Sequence, residues 1–448
     1  MQFTPDTSPV FKGAIATQST GGVAQPFEFR SSREETLAAR ETAWLGVALN
    51  MSPIFDVKGP DAVKFLNATC VNRDFGVFPD GTSKHVLICN ERGQMLADGV
   101  IIKVAENHFR SYWLAPVIHF FLMTSGLDVQ GEYISDEYFF QIDGPKSLEI
   151  MEQATGADLH DLRFARNKKV SVLGTEAVVH RLGMSGALAY EIHGRGEHAD
   201  AVYARIREVL EAFGGTPQGT RNYVTMNHTV AGYPNQYLHF LYPWYTSGEG
   251  LAAFMRQANF LNQTFIGSAS DDDENFYVTP FDVGWGYLVN FDHDFPGKAA
   301  LWALKQDPPR QAVTLEWDAD DVADVFASQF RGADVPMYDP IEYPNDWWAH
   351  PGGGSLPLRA DYVLAGGRKI GVASGKTYAY HEHRMVSLAW IEKAFAVEGT
   401  EVKVLWGQPG GPQKEIRATV ARFPYYNGEF RNETFDVAAI PRLGPVAG

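Results

Sequence analysis

One short stretch carries most of the chemistry on display in this chain. From Gln218 to Tyr233 it reads Gln-Gly-Thr-Arg-Asn-Tyr-Val-Thr-Met-Asn-His-Thr-Val-Ala-Gly-Tyr. A guanidinium, phenols, amides, an imidazole and hydroxyls crowd together, and an aromatic run from Tyr237 to Tyr245 follows at once. Polar tips beside a ready apolar wall are what a buried small-molecule site needs.

Other candidates have simpler explanations. Gly194-Arg-Gly196-Glu-His-Ala199 matches a dinucleotide fingerprint. The strand before it carries Glu191, and the helix after it leads to Gly214-Gly-Thr-Pro217 rather than to a second parallel strand, so a tight turn explains the glycines. Gly183-Met-Ser185-Gly-Ala187 misses the hydrolase elbow at its last position. Asp292-His-Asp294 and His381-Glu-His383 offer ligand atoms but read as solvated turns. The acidic run from Ser268 to Glu274 reads as a solvated loop. Cys70 and Cys89 give neither a disulfide framework nor zinc spacing. No strong redox, metal or hydrolase signature emerges.

The elements that must position the chemistry follow from patterning. A chain of 448 residues with 45% hydrophobic content can bury the core of two or three domains. A net charge of −16 argues against nucleic acid and anionic membrane as partners. With no spanning apolar run or signal-like start, the expected location is the cytoplasm. Residues 1–25 read as a surface arm, and Ser32 to Leu45 as a helix. Ile54 to Lys58, Gly59-Pro60 and a helix form a unit that returns as Phe139 to Asp143, Gly144-Pro145 and a helix. That repetition implies an internal duplication within residues 26–311. A hairpin turns at Asn90 to Gly93, and His198 to Phe213 carries one apolar stripe. Residues 312–448 hold short strands between Gly and Pro, which predicts a C-terminal β-barrel with a long insertion from Arg331 to Asp361.

The duplicated Gly-Pro units, Ala187-Leu-Ala-Tyr-Glu191-Ile-His-Gly194 and the segment Gly284-Trp285 to Lys298 together resemble the aminomethyltransferase superfamily. The likeness is greatest to its tetrahydrofolate-dependent aryl O-demethylases. It implies an α+β fold of three domains in a ring, with tetrahydrofolate as the one-carbon acceptor and no metal. It also implies site residues. Glu191 and Gln141 hold the pterin, whose amino group and ring N–H suit a carboxylate. Phe164, Trp285 and Tyr233 flank the ring, and Asp98 lies near the family's catalytic aspartate. Tyr223 matches a tyrosine that serves as general acid or base, suited by its pKa to assist a departing phenolate. Arg221, Asn222 and Asn227 take supporting roles.

Departures from that family bear on specificity. A histidine pair of the methoxybenzoate enzymes is missing from Leu49-Asn-Met-Ser-Pro53, and a carboxylate-gripping arginine is missing from Trp113-Leu114-Ala115. Met51 and Leu114, with Tyr237, Tyr242 and Trp244, are therefore expected to line a site for an uncharged phenylpropanoid or lignan-type ether. The iron–sulfur-assembly branch carries a Gly-Cys motif near Phe295-Pro-Gly297, and none stands here. The expected reaction removes a methyl or methylene carbon and leaves a phenol or catechol. Amine-linked transfer of the glycine-cleavage type and non-catalytic folate binding are the alternatives.

Overall fold

In the computed structural model, residues 3–20, 23–223, 228–236, 238–258, 262–341 and 355–442 are described. The N-terminal arm is not loose throughout. Strands β1 (Ala16–Thr20) and β2 (Val23–Glu28) pair as an antiparallel hairpin. Helix α1 (Ser32–Glu41) follows, its first turn capped by the Ser31 hydroxyl, which accepts the Glu34 N–H at 3.2 Å.

The predicted helix stops short of Leu45. Strand β3 (Trp44–Gly46) replaces its last turn. Ala43, Trp44 and Leu45 are all fully buried. A three-residue run buried on every side belongs to a central strand, and helical spacing cannot tell the two apart over so few residues.

Two sheets carry the duplication. The first has the order β5-β6-β7-β4-β8: β4 (Ile54–Lys58), β5 (Ser83–Cys89), β6 (Met95–Ala105), β7 (His108–Tyr112) and β8 (Gln130–Ile134). The second is β10-β11-β12-β9-β3-β13: β9 (Glu137–Asp143), β10 (Asn167–Val172), β11 (Thr175–His180), β12 (Ala189–Arg195) and β13 (Thr216–Gln218). Helix α2 (Ala62–Thr69) follows β4, as α4 (Ser147–Thr155) follows β9. Helix α3 (Val117–Thr124) packs beside α2, and α5 (Ala199–Ala212) beside α4. At the repeated Gly-Pro, Gly59 has φ 136° and Gly144 φ 135°. Both sit where a side chain has no room, since a Cβ would stand 2.8 Å from the Asp128 carbonyl at the first and 2.4 Å from that of Thr42 at the second. The repetition in sequence is thus a repetition of backbone geometry.

The C-terminal strands close a six-stranded barrel. Its members are β15 (Arg310–Trp317), β16 (Ser355–Ala365), β17 (Arg368–Ala379), β18 (Arg384–Glu392), β19 (Glu401–Trp406) and β20 (Lys414–Ala421), sealed by β16 pairing with β19. Strand β14 (Asn262–Ile266) adds to β16 in parallel. The insertion expected over 331–361 therefore ends sooner, because β16 begins at Ser355; residues 342–354 lie outside the described residues. Helix Ala319–Ser328, unforeseen in sequence, packs against β20.

Replacing Gly144 by Ala should destabilise the chain by about 2–4 kcal/mol, combining a disfavoured φ with a clash against backbone. Equilibrium urea unfolding reads the effect, and a midpoint unchanged from wild type would contradict it.

Candidate active site

Side chains directly opposed in a sheet share a face, so the registers of the second sheet set the site. Glu191 on β12 opposes Gln141 on β9 and His180 on β11. Gln141 in turn opposes Gly46 on β3, which opposes Gln218 on β13. A polar row thus crosses the sheet. Two residues along, Asp143 opposes Ala189 and Trp44; two the other way, Phe139 opposes His193. The reverse face, with Phe140, Ile142 and Tyr190, is apolar core. The polar face meets the first sheet, whose Tyr112 ring lies 5.3 Å from that of Phe139.

Much of this interface is closed within the protein. The Tyr112 hydroxyl donates to Glu137 Oε1 at 2.6 Å, Arg110 also pairs with Glu137, and the Arg110 Nε donates to Asp56 Oδ1 at 2.7 Å. His193 Nδ1 meets the Tyr112 hydroxyl at 2.9 Å, while its Nε2 stands 3.7 Å from Glu191 Oε2. Burial alone would lower the His193 pKa, but the Glu137 and Glu191 carboxylates raise it.

Farther along the row the polar groups are unmet. Gln141 Oε1, Asp143 Oδ1 and the Tyr223 hydroxyl are buried with no hydrogen-bond partner among the described residues. Unpartnered buried polar atoms call for an explanation, and a bound ligand is one that would pair this group of them together. Glu191 is 3% exposed with acceptor oxygens on the same face. An acceptor carboxylate beside an acceptor amide fits the amino and N–H edge of a pterin.

Tyr223 is held over this face by an anchor that sequence reasoning missed. The Glu35 carboxylate on α1 accepts the N–H groups of Phe29 at 2.7 Å and Gly219 at 2.9 Å, and the Asn222 amide at 2.7 Å. It clamps the short helix α6 (Thr220–Asn222) that delivers Tyr223. Gly219 tolerates no Cβ, which would lie 2.0 Å from the Phe27 carbonyl on the hairpin. Arg221 pairs with Glu28 at 3.0 Å. Asn227 lies outside the described residues. The Tyr223 ring packs edge-on against Trp44, centroids 5.8 Å apart, in a cluster that includes Met51. Burial, then the field of Glu191, pushes its phenol well above the usual range, so it keeps its proton.

Helix α7 (His228–Ala231) continues the segment toward the first sheet. His228 stands edge-on to Tyr223 at 5.8 Å; its Nδ1–H donates to the Tyr233 carbonyl at 3.1 Å, and its Nε2 accepts the Asn235 amide at 3.2 Å. Burial lowers its pKa to about 4, against the raising effect of that carbonyl. The Tyr233 hydroxyl lies 3.2 Å from His85 Nε2, which is 3.1 Å from Asp98 Oδ2. Trp285 stands edge-on to His85 at 4.6 Å. Asp98, Tyr233 and Trp285 therefore gather with Tyr223, Glu191 and Gln141 around one region.

Several expected lining residues sit elsewhere. Tyr242 is 2% exposed; its hydroxyl donates to Asp98 Oδ1 and accepts the Asp98 N–H at 2.9 Å. It braces Asp98 from the core rather than facing a substrate. Trp244 is equally buried, its Nε1 donating to the Leu96 carbonyl at 2.7 Å. Leu114 is fully buried against Gly99, where a Cβ would lie 3.1 Å from its Cγ. Its neighbour Trp113, at φ 68° and 39% exposed, presents the open ring instead. Phe164 is 37% exposed and makes no ring contact among the described residues. Tyr237 lies outside the described residues. An alternating or run-on aromatic pattern reports apolarity but not which side faces the cavity.

The glycines at 194 and 196 close an antiparallel strand, not a dinucleotide turn. A Cβ on Gly194 would stand 2.6 Å from the Tyr138 hydroxyl and 2.7 Å from its ring, which is the reason for glycine there. Asp294 is paired with Lys298 at 2.9 Å, and His293 Nε2 donates to the Asn72 carbonyl at 2.7 Å.

Residues 10–230 match the family described as the GCVT N-terminal domain. The chain is 45% identical over 439 residues to a sesamin methylene transferase of Sinomonas sp., covering 96% of both proteins. It is 30% identical over 430 residues to a syringate O-demethylase of Sphingobium sp., covering 89% of each. The chain belongs to the aminomethyltransferase superfamily. Its fold matches that of the glycine cleavage system aminomethyltransferase T from Bartonella henselae, with a TM-score of 0.65 at 19% identity over 93% of this chain and 95% of that one. The chain is a transferase of this superfamily. Among the described residues no helix is long and apolar enough to cross a membrane.

Two outcomes follow. Tyr223→Phe should lower kcat by about a hundredfold or more while tetrahydrofolate affinity changes by less than about threefold; calorimetry beside steady-state kinetics separates the two, and an unchanged kcat removes the assigned role. The second concerns acid. An unfolded histidine protonates near its ordinary pKa of about 6.5, whereas folded His228 waits until about 4. Between those values the unfolded chain binds more protons, so stability falls as pH drops through that window, by roughly 3 kcal/mol from this group. His228→Gln should flatten that part of the pH–stability curve.

Proposed function

We propose that the chain opens the methylenedioxy ring of an uncharged phenylpropanoid or lignan-type aromatic, passes the carbon to tetrahydrofolate and leaves a catechol. The observation that carries this reading is the 45% identity, over 96% of both chains, to a protein named for methylene transfer from sesamin. The site supports it: apolar Met51 packs in the Tyr223 cluster, and no cation stands at Trp113-Leu114-Ala115 to grip a substrate carboxylate.

Bound along Glu191 and Gln141, the folate supplies the amine nitrogens that take up the carbon. A methylenedioxy carbon is already at the formaldehyde level, so no oxidant enters. Two C–O bonds break, two C–N bonds form, and the two amine protons end on the catechol oxygens. Tyr223 keeps its proton and donates a hydrogen bond to the departing aryl oxygen, lowering the cost of charge there. Asp98, oriented by Tyr242 and His85, accepts a proton released from nitrogen. Burial of the site keeps water from the activated carbon.

Transfer of a methyl group from a methoxyl is the second reading, favoured by the 30% identity to a syringate O-demethylase. Amine-linked transfer has less in its favour, since the relatives of that type share about a quarter of their residues, such as the 26% identity of the Thermotoga maritima aminomethyltransferase. Purified protein supplied with tetrahydrofolate should consume a neutral methylenedioxy aromatic with kcat/KM at least about tenfold above that for a methoxybenzoate. The reverse order supports the methyl reading, and loss of neither donor overturns both.

A further inference from the structure

The acceptor row at Glu191 and Gln141 has a neighbour of different character. Asp143 follows Gln141 by two residues on β9, so it shares the face, and it is fully buried. Its Oδ2 accepts the Ser185 N–H at 3.2 Å and the Gln141 Nε2 at 3.4 Å, which turns the unpartnered Gln141 Oε1 the other way. Its Oδ1 has no partner among the described residues, and no cation there forms an ion pair with it. Arg40, the cation whose field reaches it, is engaged by the Ser185 carbonyl at 3.2 Å and the Tyr426 ring at 3.4 Å. Glu191 and Tyr223 are the other ionisable groups that face it. A bare carboxylate so placed, beside a second acid, is strongly disfavoured, and taking up a proton relieves the cost. Burial, outweighing the Ser185 hydrogen bonds, holds its carboxyl well above the usual range.

We propose that Asp143 is a protonated carboxylic acid belonging to the folate subsite, its Oδ1–H donating to the ring carbonyl of the pterin. The inference rests on the folate reading above. The face then presents acceptor, acceptor and donor in sequence, from Glu191, Gln141 Oε1 and Asp143. A reduced 2-amino-4-oxo pterin presents amino group, ring N–H and carbonyl along one edge, which is the complementary order. No bond is made or broken: the proton stays on Oδ1 and is shared with the carbonyl. The arrangement also selects the ligand, because replacing that carbonyl by an amine would set donor against donor.

The test is tetrahydrofolate binding by calorimetry on the full chain, with an infrared spectrum of each variant. Asp143→Asn places an N–H donor at the same point and should bind within about threefold of wild type. Asp143→Leu, which leaves the carbonyl unpaired, should bind about tenfold weaker or more. Wild type should show a protonated-carboxyl band at neutral pH that Asp143→Asn lacks and that shifts on adding tetrahydrofolate. Any protonated carboxyl other than that of Asp143 gives a band common to both, so the difference spectrum is the reading. Asp143→Asn binding far more weakly than wild type, or no band lost in it, overturns the proposal; these two readings decide it if Asp143→Leu does not fold. Wild type that binds tetrahydrofolate with Asp143→Leu unchanged overturns this subsite alone. Wild type that binds none overturns the folate reading and the subsite with it.

Discussion

Acids buried between two sheets govern the architecture of this molecule. Glu137, Asp143 and Glu191 project from one face of the second sheet, and Asp56 meets them from the first. Each would cost several kcal/mol if left ionised without a partner. The interface settles this in two ways. At one end Arg110 bridges Asp56 and Glu137, Tyr112 donates to Glu137, and the charges are closed off within the protein. At the other end Gln141, Asp143 and Tyr223 keep buried polar atoms open. The closed end fixes how the sheets sit; the open end is where, in the proposed reading, folate completes the hydrogen bonding. Structure and function divide one polar layer between them.

The segment from Gln218 to Tyr233 spans the open end because it is tied on three sides. Glu35 and the N-terminal hairpin hold its start. His85 and Asp98 on the first sheet hold Tyr233. The barrel holds its later part, where the Thr229 hydroxyl donates to the Gly375 carbonyl at 2.8 Å. The hairpin, the first sheet and the barrel therefore all bear on where Tyr223 points. That is a physical reason for the phenol proposed to react to sit at the junction of domains rather than on a surface loop.

Much of this was legible in the sequence, for reasons that can be named. The Gly-Pro repetition was readable because a φ near 135° with backbone packed against the Cα leaves only glycine. Glu191, Gln141, Tyr223 and Asp98 were reachable because the motifs around them are collinear with a family. What stayed hidden depends on contacts distant in sequence. Nothing local to Glu35 says that its carboxylate meets Gly219 and Asn222, nearly two hundred residues away. Asp143 looked like a strand-end residue until the register set it beside Glu191's partner. Tyr242 and Trp244 were assigned to the cavity from the aromatic run, and Leu114 from its place where the family carries an arginine; neither signal says which way a side chain faces, and apolarity serves core and cavity equally.

The central claim is that one carbon leaves an aromatic methylenedioxy bridge and arrives on folate without oxidation. A neutral aromatic carrying carbon-13 in that bridge, incubated with the protein and tetrahydrofolate without oxygen, tests it most directly. The account predicts label in the methylene form of the folate, in equal amount to the catechol released. Label appearing as free formaldehyde or formate, or catechol forming at the same rate without folate, would contradict it.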